Sequence, residues 1–261
     1  MRKLKYFFRR FRTGLQAIGL FKNWPKAFSI YFRRRTGLEV LVLRDGTRFK
    51  VRRQAREMQR VVEVYAARPY HRYLSSLEAG ATIIDIGANI GSFSVLAASR
   101  CPGAAVYSYE PFPESYQLLE DNVALNGLTG QIHAFNLGVA GAKGQRDLFI
   151  DDSQSGGHGM FSDRADSQRI TINVVSLADV FTDNALNSCD LLKMDCEGAE
   201  FEILYGAPEA LLQSIRMMVF EIHASRAANK VAEVKTFLED QGFVVDTGGV
   251  VAGYGLVYAE R

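Results

Sequence analysis

One short run constrains this chain more than any other: Ile83-Ile84-Asp85-Ile86-Gly87-Ala88-Asn89-Ile90-Gly91-Ser92. An apolar segment ends in an acid, and a Gly-rich turn opens directly into helix-forming residues. Strand, glycine turn and helix make the first half of a βαβ unit. Gly87 and Gly91 allow positive φ and a close approach of backbone to a ligand. A helix starting at Ser92 offers N–H groups with no intrahelical partner, at the sheet edge where doubly wound folds bind ligands.

The pattern beyond this run repeats the alternation. Strands are expected at Thr82–Ile86, Ala105–Tyr109, Gln131–Asn136, Leu191–Met194 and Met217–Ile222. Helices are expected near Ser92–Ser99, Glu114–Asn126, Ala199–Leu212 and Ala228–Gln241. Such alternation implies an α/β fold, a doubly wound and mostly parallel sheet with helices on both faces. Two closing strands, Phe243–Asp246 and Gly255–Ala259, lie close enough in sequence to pair antiparallel. An insertion carries strands at Asp147–Ile150 and Thr171–Val175, and the Gly/Ser/Asp-rich stretch Asp151–Arg169 between them is long enough for a mobile lid.

The N-terminal part reads differently. Residues 1–38 hold eleven Lys and Arg and no acid, which leaves 20 basic and 29 acidic residues, a balance of about −9, for the rest. The acidic body argues against a nucleic-acid cleft. Leu4, Phe7, Phe8, Phe11, Leu15 and Ile18 recur at helical spacing beside Lys5, Arg9 and Arg12. Trp24-Pro25 interrupts this helix, and a second basic aromatic stretch runs to Arg35. Two readings stay open: a helix packed on the domain, or residues 1–35 lying on an anionic membrane surface. Residues 39–80 follow as a hairpin about Asp45-Gly46 and a helical cap from Glu57 to Leu77, bent at Pro69. Residues 81–261 form the main domain. Cys101, Cys189 and Cys196 are odd in number and fit no zinc spacing, so reduced thiols and a cytoplasmic protein are expected, at most peripheral at the inner face of a membrane.

Two ligands compete for the glycine turn. A dinucleotide fingerprint needs a middle glycine where this chain has Asn89. Asp85 sits poorly beside a pyrophosphate but suits a ligand with a positive amino group, such as a methionine moiety. Glu110, ahead of Pro111 at the end of the second strand, can accept hydrogen bonds from both ribose hydroxyls of an adenosine, a feature shared with nicotinamide enzymes.

Together with Leu192-Lys-Met-Asp-Cys-Glu-Gly-Ala-Glu200 and Glu221-Ile-His223, these motifs resemble the FkbM-type family of class I methyltransferases. The resemblance covers residues from about 40 to 259. It implies a seven-stranded sheet with the last strand antiparallel, S-adenosylmethionine as methyl donor, and O-methylation of sugars, glycans or polyketide-type products. Cys196 departs from the aliphatic residue commoner there.

The expected donor site is Asp85, Gly87, Asn89, Gly91, Ser92, Glu110, Pro111 and Asp195. The reacting end would draw on His223 as general base, with Asp195 second and Glu221 and Glu197 alongside. Structural roles compete: Glu200 suits a helix N-terminus, where acids favour the dipole, and His223 equally suits a buried structural histidine. Asp195, Glu197, Glu221 and His223 also have the ligand chemistry of a hard divalent ion, though a metal is not the favoured reading. The expected acceptor is a saccharide or glycolipid hydroxyl. A catalytically silent binding module and a nicotinamide oxidoreductase are the alternatives.

Overall fold

Strands that are apolar almost without a break belong at the centre of a parallel sheet, because helices cover both faces. In the computed structural model, Thr82–Ile86 and Cys189–Met194 are nearly fully buried and lie side by side. The structure describes residues 13–32, 37–53, 57–66, 70–150, 168–196, 198–223, 228–248 and 254–261.

The chain enters through α1 (13–20) and α2 (Trp24–Phe32), then the antiparallel hairpin β1 (Leu38–Val42) and β2 (Arg48–Arg52). Helices α3 (Glu57–Ala66) and α4 (His71–Leu74) follow. Strand and helix then alternate through β3 (Thr82–Ile86), α5 (Ser92–Arg100), β4 (Ala105–Tyr109), α6 (Pro113–Leu125) and β5 (Ile132–Phe135). An insertion forms β6 (Gly138–Ala140), β7 (Gly144–Ile150) and β8 (Gln168–Ser176), and α7 (Leu177–Asp183) leads back. The second half comprises β9 (Cys189–Met194), α8 (Glu200–Gly206), α9 (Glu209–Gln213), β10 (Ile215–His223), α10 (Ala228–Asp240), β11 (Val244–Asp246) and β12 (Tyr254–Glu260).

The main sheet has seven strands in the order β11-β12-β10-β9-β3-β4-β5, with β12 antiparallel to both neighbours. The chain runs outward from β3 to β4 and β5, then returns to place β9 on the other flank of β3. This reversal opens a crevice at the C-terminal strand ends. Register fixes a row across the sheet: Asp85 pairs with Ser108 of β4 and with Lys193 of β9. Side chains in one row share one face of the sheet, so a serine, an acid and a lysine meet inside the core.

Three expectations are corrected. The single helix expected over Ala199–Leu212 is two, because Pro208 has no N–H to donate and forces Ala207 into extended backbone at ψ 135°. The cap helix divides into α3 and α4; Pro69 itself lies outside the described residues. The insertion holds a third strand, β6, beside the two expected there, in the order β6-β8-β7. Of the expected lid, residues 151–167 lie outside the described residues.

The N-terminal elements share the core of the main domain. Ala17, Phe21, Ala27 and Ile30 belong to the same buried cluster as Leu41, Phe49, Ile83, Phe93 and Val106. The hairpin is clipped to α6 by asparagine side chains: Asn122 and Asn126 accept from the Lys50 and Arg48 N–H groups and donate to their carbonyls. Arg52 adds ion pairs to the buried Glu57 and to Glu114. Among the described residues, no helix is long and apolar enough to cross a membrane.

Candidate functional site

The turn after β3 is shaped by contacts that only glycine permits. Gly87 has φ +75°, and a Cβ there would lie 2.0 Å from the Asp195 carbonyl oxygen. The Asp195 N–H donates to the Ile86 carbonyl, so this turn and the end of β9 are locked together. Gly91, at φ +81°, ends the turn as the residue before α5; a Cβ there would meet Leu119 Cδ1 at 2.5 Å. Between them Asn89 takes a left-handed φ of 51°. Its N–H donates to Glu110 Oε2 at 2.8 Å, while the Phe112 N–H donates to Oε1 at 2.9 Å. Glu110 is thereby fixed at the tip of β4, and burial pushes its carboxyl up to about 7 against the pull of these two N–H groups.

Over the turn lies a cleft enclosing about 860 Å³, part of it open to solvent. Gly87, Asn89, Ser92, Glu110, Pro111 and Asp195 of the expected site all line it. Asn89 Oδ1 and Ser92 Oγ are buried there with no hydrogen-bond partner among the described residues. Two orphaned polar atoms beside a buried carboxylate fit a polar ligand, since such atoms are costly to leave unpaired.

Asp85 lies beneath this cleft and does not line it. It is fully buried, pairs with Lys193 Nζ at 2.9 Å and accepts a hydrogen bond from Ser94 Oγ at 2.6 Å. Ser108 donates to Ser94 in turn. Lys193 is the group that reaches the cleft, with its Nζ donating to the Gly87 carbonyl at 3.0 Å. Burial lowers the lysine pKa, but the carboxylates of Asp85 and Asp195 outweigh it, so the ammonium stays charged.

Sequence reasoning missed Lys193 as a site residue, although it stands within the quoted Leu192–Glu200 motif. A lysine inside an otherwise apolar strand was the available signal. Two more were missed, Arg60 of α3 and Tyr70 just before α4. Both line the cleft from the N-terminal cap, and Arg60 approaches Asp195 Oδ2 at 3.6 Å. Nothing in sequence separation hints at that pairing.

The expected reacting groups are less completely assembled. Glu221 is half-buried and close enough to influence the Tyr70 hydroxyl, as are Lys193 and Asp195. The backbone of His223 pairs with Tyr254 at the end of β10. Glu197 lies outside the described residues. Glu200 is fully buried and accepts from the Cys196 and Gly198 N–H groups, bracing the turn before α8. Among the described residues, no three His, Cys, Asp or Glu side chains converge as a metal site would require.

Residues 85–245 match the model of the methyltransferase FkbM domain. The chain is 28% identical over 212 residues to 31-O-demethyl-FK506 methyltransferase FkbM of Streptomyces tacrolimicus, covering 70% of this chain and 80% of that protein. It is 26% identical over 151 residues to hexuronic acid methyltransferase AglP of Haloferax volcanii, covering 58% and 59%. AMB antimetabolite synthetase AmbE of Pseudomonas aeruginosa is 28% identical over 224 residues, 70% of this chain, but the match spans only 10% of that protein. Among solved structures, a methyltransferase FkbM from Methylobacillus flagellatus superposes with a TM-score of 0.51 at 15% identity, over 77% of this chain and 53% of that one. That likeness speaks for the fold.

Proposed function

The chain belongs to the FkbM methyltransferase family, and on that premise we propose that it transfers a methyl group from S-adenosylmethionine to a hydroxyl oxygen of a saccharide, glycolipid or related natural product. The observation that carries the reading is Glu110: a buried carboxylate facing the same cleft as the Gly87 turn. The names of two relatives, a methyltransferase of 31-O-demethyl-FK506 and one of hexuronic acid, support an oxygen acceptor on a natural product or a sugar.

Each expected donor contact has a residue to make it. Glu110 has lone pairs left for the two ribose hydroxyls. Tyr109, Pro111, Val139 and Leu148 line the cleft as apolar neighbours for adenine. Asn89 Oδ1 would accept from the methionine ammonium. Lys193 and Ser92 would hold the methionine carboxylate, and Asp85 acts through Lys193 by keeping it charged.

When bound, S-adenosylmethionine supplies a methyl carbon made electrophilic by its sulfonium. The protein's own work is then to hold the acceptor hydroxyl in line and take its proton, and alignment supplies much of the rate. His223 is the first candidate base and Asp195, lining the cleft beside Lys193, is the second, with Glu221 and Glu197 nearby in the chain. A cytoplasmic enzyme of this kind at the inner face of a membrane would suit a lipid-linked sugar.

Melting with S-adenosylhomocysteine and with NAD, then transfer of labelled methyl to hydroxyl acceptors, tests the reading. Stabilisation by NAD alone would overturn it. Within it, His223→Ala is expected to slow methyl transfer by about a hundredfold while leaving S-adenosylhomocysteine affinity unchanged. Near-normal turnover in that variant, with loss in Asp195→Asn, would move the base to Asp195.

A further inference from the structure

The donor contacts above leave one buried polar side chain of the cleft without a role, Tyr70 of the N-terminal cap. It stands just before α4, where its carbonyl accepts from the Leu74 N–H at 3.0 Å. It is buried and lines the cleft. Its ring meets Phe93 of α5 edge to face, with centroids 4.8 Å apart and planes at 66°. Lys193 Nζ stands over the same Phe93 ring, 6.0 Å from its centroid, and donates to the Gly87 carbonyl at 3.0 Å. Phe93 thus brings the tyrosine of the cap and the lysine of β9 together beside the glycine turn. The charged groups acting on the Tyr70 hydroxyl are Lys193 and Asp195 at the end of β9, Glu221 near the end of β10, and Asp85 beneath.

Sheet order turns this placement into a position along the donor. Glu110, the ribose acid, follows β4 on one side of β3, while β9 and β10 lie on the other. The donor sulfur joins the ribose to the methionine chain, so its methyl projects from between Glu110 and Lys193 toward the acceptor. Two of the candidate bases, Asp195 and Glu221, stand on the β9–β10 side, and the Tyr70 hydroxyl stands there with them.

We propose that Tyr70 is a catalytic residue whose hydroxyl oxygen touches the transferring methyl and holds it in line with the acceptor; the proposal rests on the methyl-transfer reading. Methyl hydrogens polarised by a sulfonium make C–H···O contacts with such an oxygen. During transfer the acceptor oxygen bonds to the methyl carbon as the carbon–sulfur bond breaks. The electron pair of that bond stays on sulfur, and the acceptor's proton goes to the general base. Tyr70 keeps its own proton throughout, which matters because a phenolate here would itself be a nucleophile. Burial pushes the hydroxyl pKa up against the pull of Lys193, so the group stays a phenol.

Two donor analogues test the contact without any acceptor. Sinefungin carries an ammonium-bearing carbon in place of the methylsulfonium, and S-adenosylhomocysteine has a bare sulfur there; the rest of the two molecules is alike. Tyr70→Phe removes one oxygen and keeps the ring on Phe93. By calorimetry the variant is expected to bind sinefungin about tenfold or more weakly, having lost one hydrogen bond from a charged donor. S-adenosylhomocysteine affinity and melting temperature should change little. A second signature comes from the donor itself: the resonances of an isotopically labelled methyl in S-adenosylmethionine should move on binding to the wild type and move less on binding to the variant. An equal loss of both analogues would place Tyr70 against the methionine chain or in support of the fold, and would overturn the proposal. No loss of either analogue, or a methyl signal identical in the two proteins, would overturn it as well. Wild-type protein that binds neither analogue would instead overturn the donor reading, and the proposal with it.

Discussion

Lys193→Met is expected to destabilise the protein by about 3–5 kcal/mol, because it strips the fully buried Asp85 of its counter-charge. The lysine and the acid face each other across the β3–β9 register, and among the described residues Ser94 Oγ alone would remain to satisfy the carboxylate. Chemical denaturation measures the loss. The double variant Asp85→Asn/Lys193→Met removes both charges and should recover most of the stability, as replacing a buried ion pair whole is far less costly than halving it. That rescued protein then separates support from binding. If Lys193 anchors the methionine carboxylate, the double variant binds S-adenosylhomocysteine more weakly by tenfold or more, one charged hydrogen bond being worth about 1.5–3 kcal/mol. It should also no longer distinguish that ligand from its decarboxylated analogue. Undiminished affinity in a stable double variant would make Lys193 a structural ion only.

The same pair shows where sequence reading stops. Glycine spacing, apolar runs and the acid before the turn indicate β3, the turn and α5 because these are local rules, each satisfied within about ten residues. The seven strands and the antiparallel last strand follow from the resemblance and agree with the sheet found. What stays hidden is register. Asp85 reads as an acid aimed at a ligand until Lys193, more than a hundred positions later, is seen in the same row taking its charge. Arg60 and Tyr70 are invisible for a similar reason. Nothing in the pattern of the cap says that α3 and the start of α4 roof the cleft. In the N-terminal segment Phe21 and Ile30 are buried in the core, while Trp24 and Phe28 stay partly exposed. A helical repeat gives the faces but not which neighbour each one meets.

Glu110→Ala is expected to weaken S-adenosylhomocysteine binding by a hundredfold or more, since two ribose hydroxyls lose a charged acceptor at about 1.5–3 kcal/mol each. Unchanged affinity by calorimetry would remove Glu110 from the donor site. The pH dependence gives a second, independent readout. Burial raises the Glu110 carboxyl from an ordinary 4.5 to about 7 in the folded protein. The folded state therefore keeps a proton that the unfolded chain releases, and the sign follows. Stability contributed by this group is fully present below pH 4.5 and is lost as pH rises through about 7. Donor binding must run the other way, because hydroxyls donate better to a carboxylate than to a carboxylic acid. Affinity should thus rise between pH 6 and pH 8, a window spanning that value of about 7. Calorimetry below neutrality in buffers of different ionisation enthalpy should detect a proton released as the donor binds. The Ala variant should lose the released proton and the slope together. A wild-type affinity that is flat across neutrality would mean that Glu110 is already ionised before the donor arrives, held so by the Asn89 and Phe112 N–H groups.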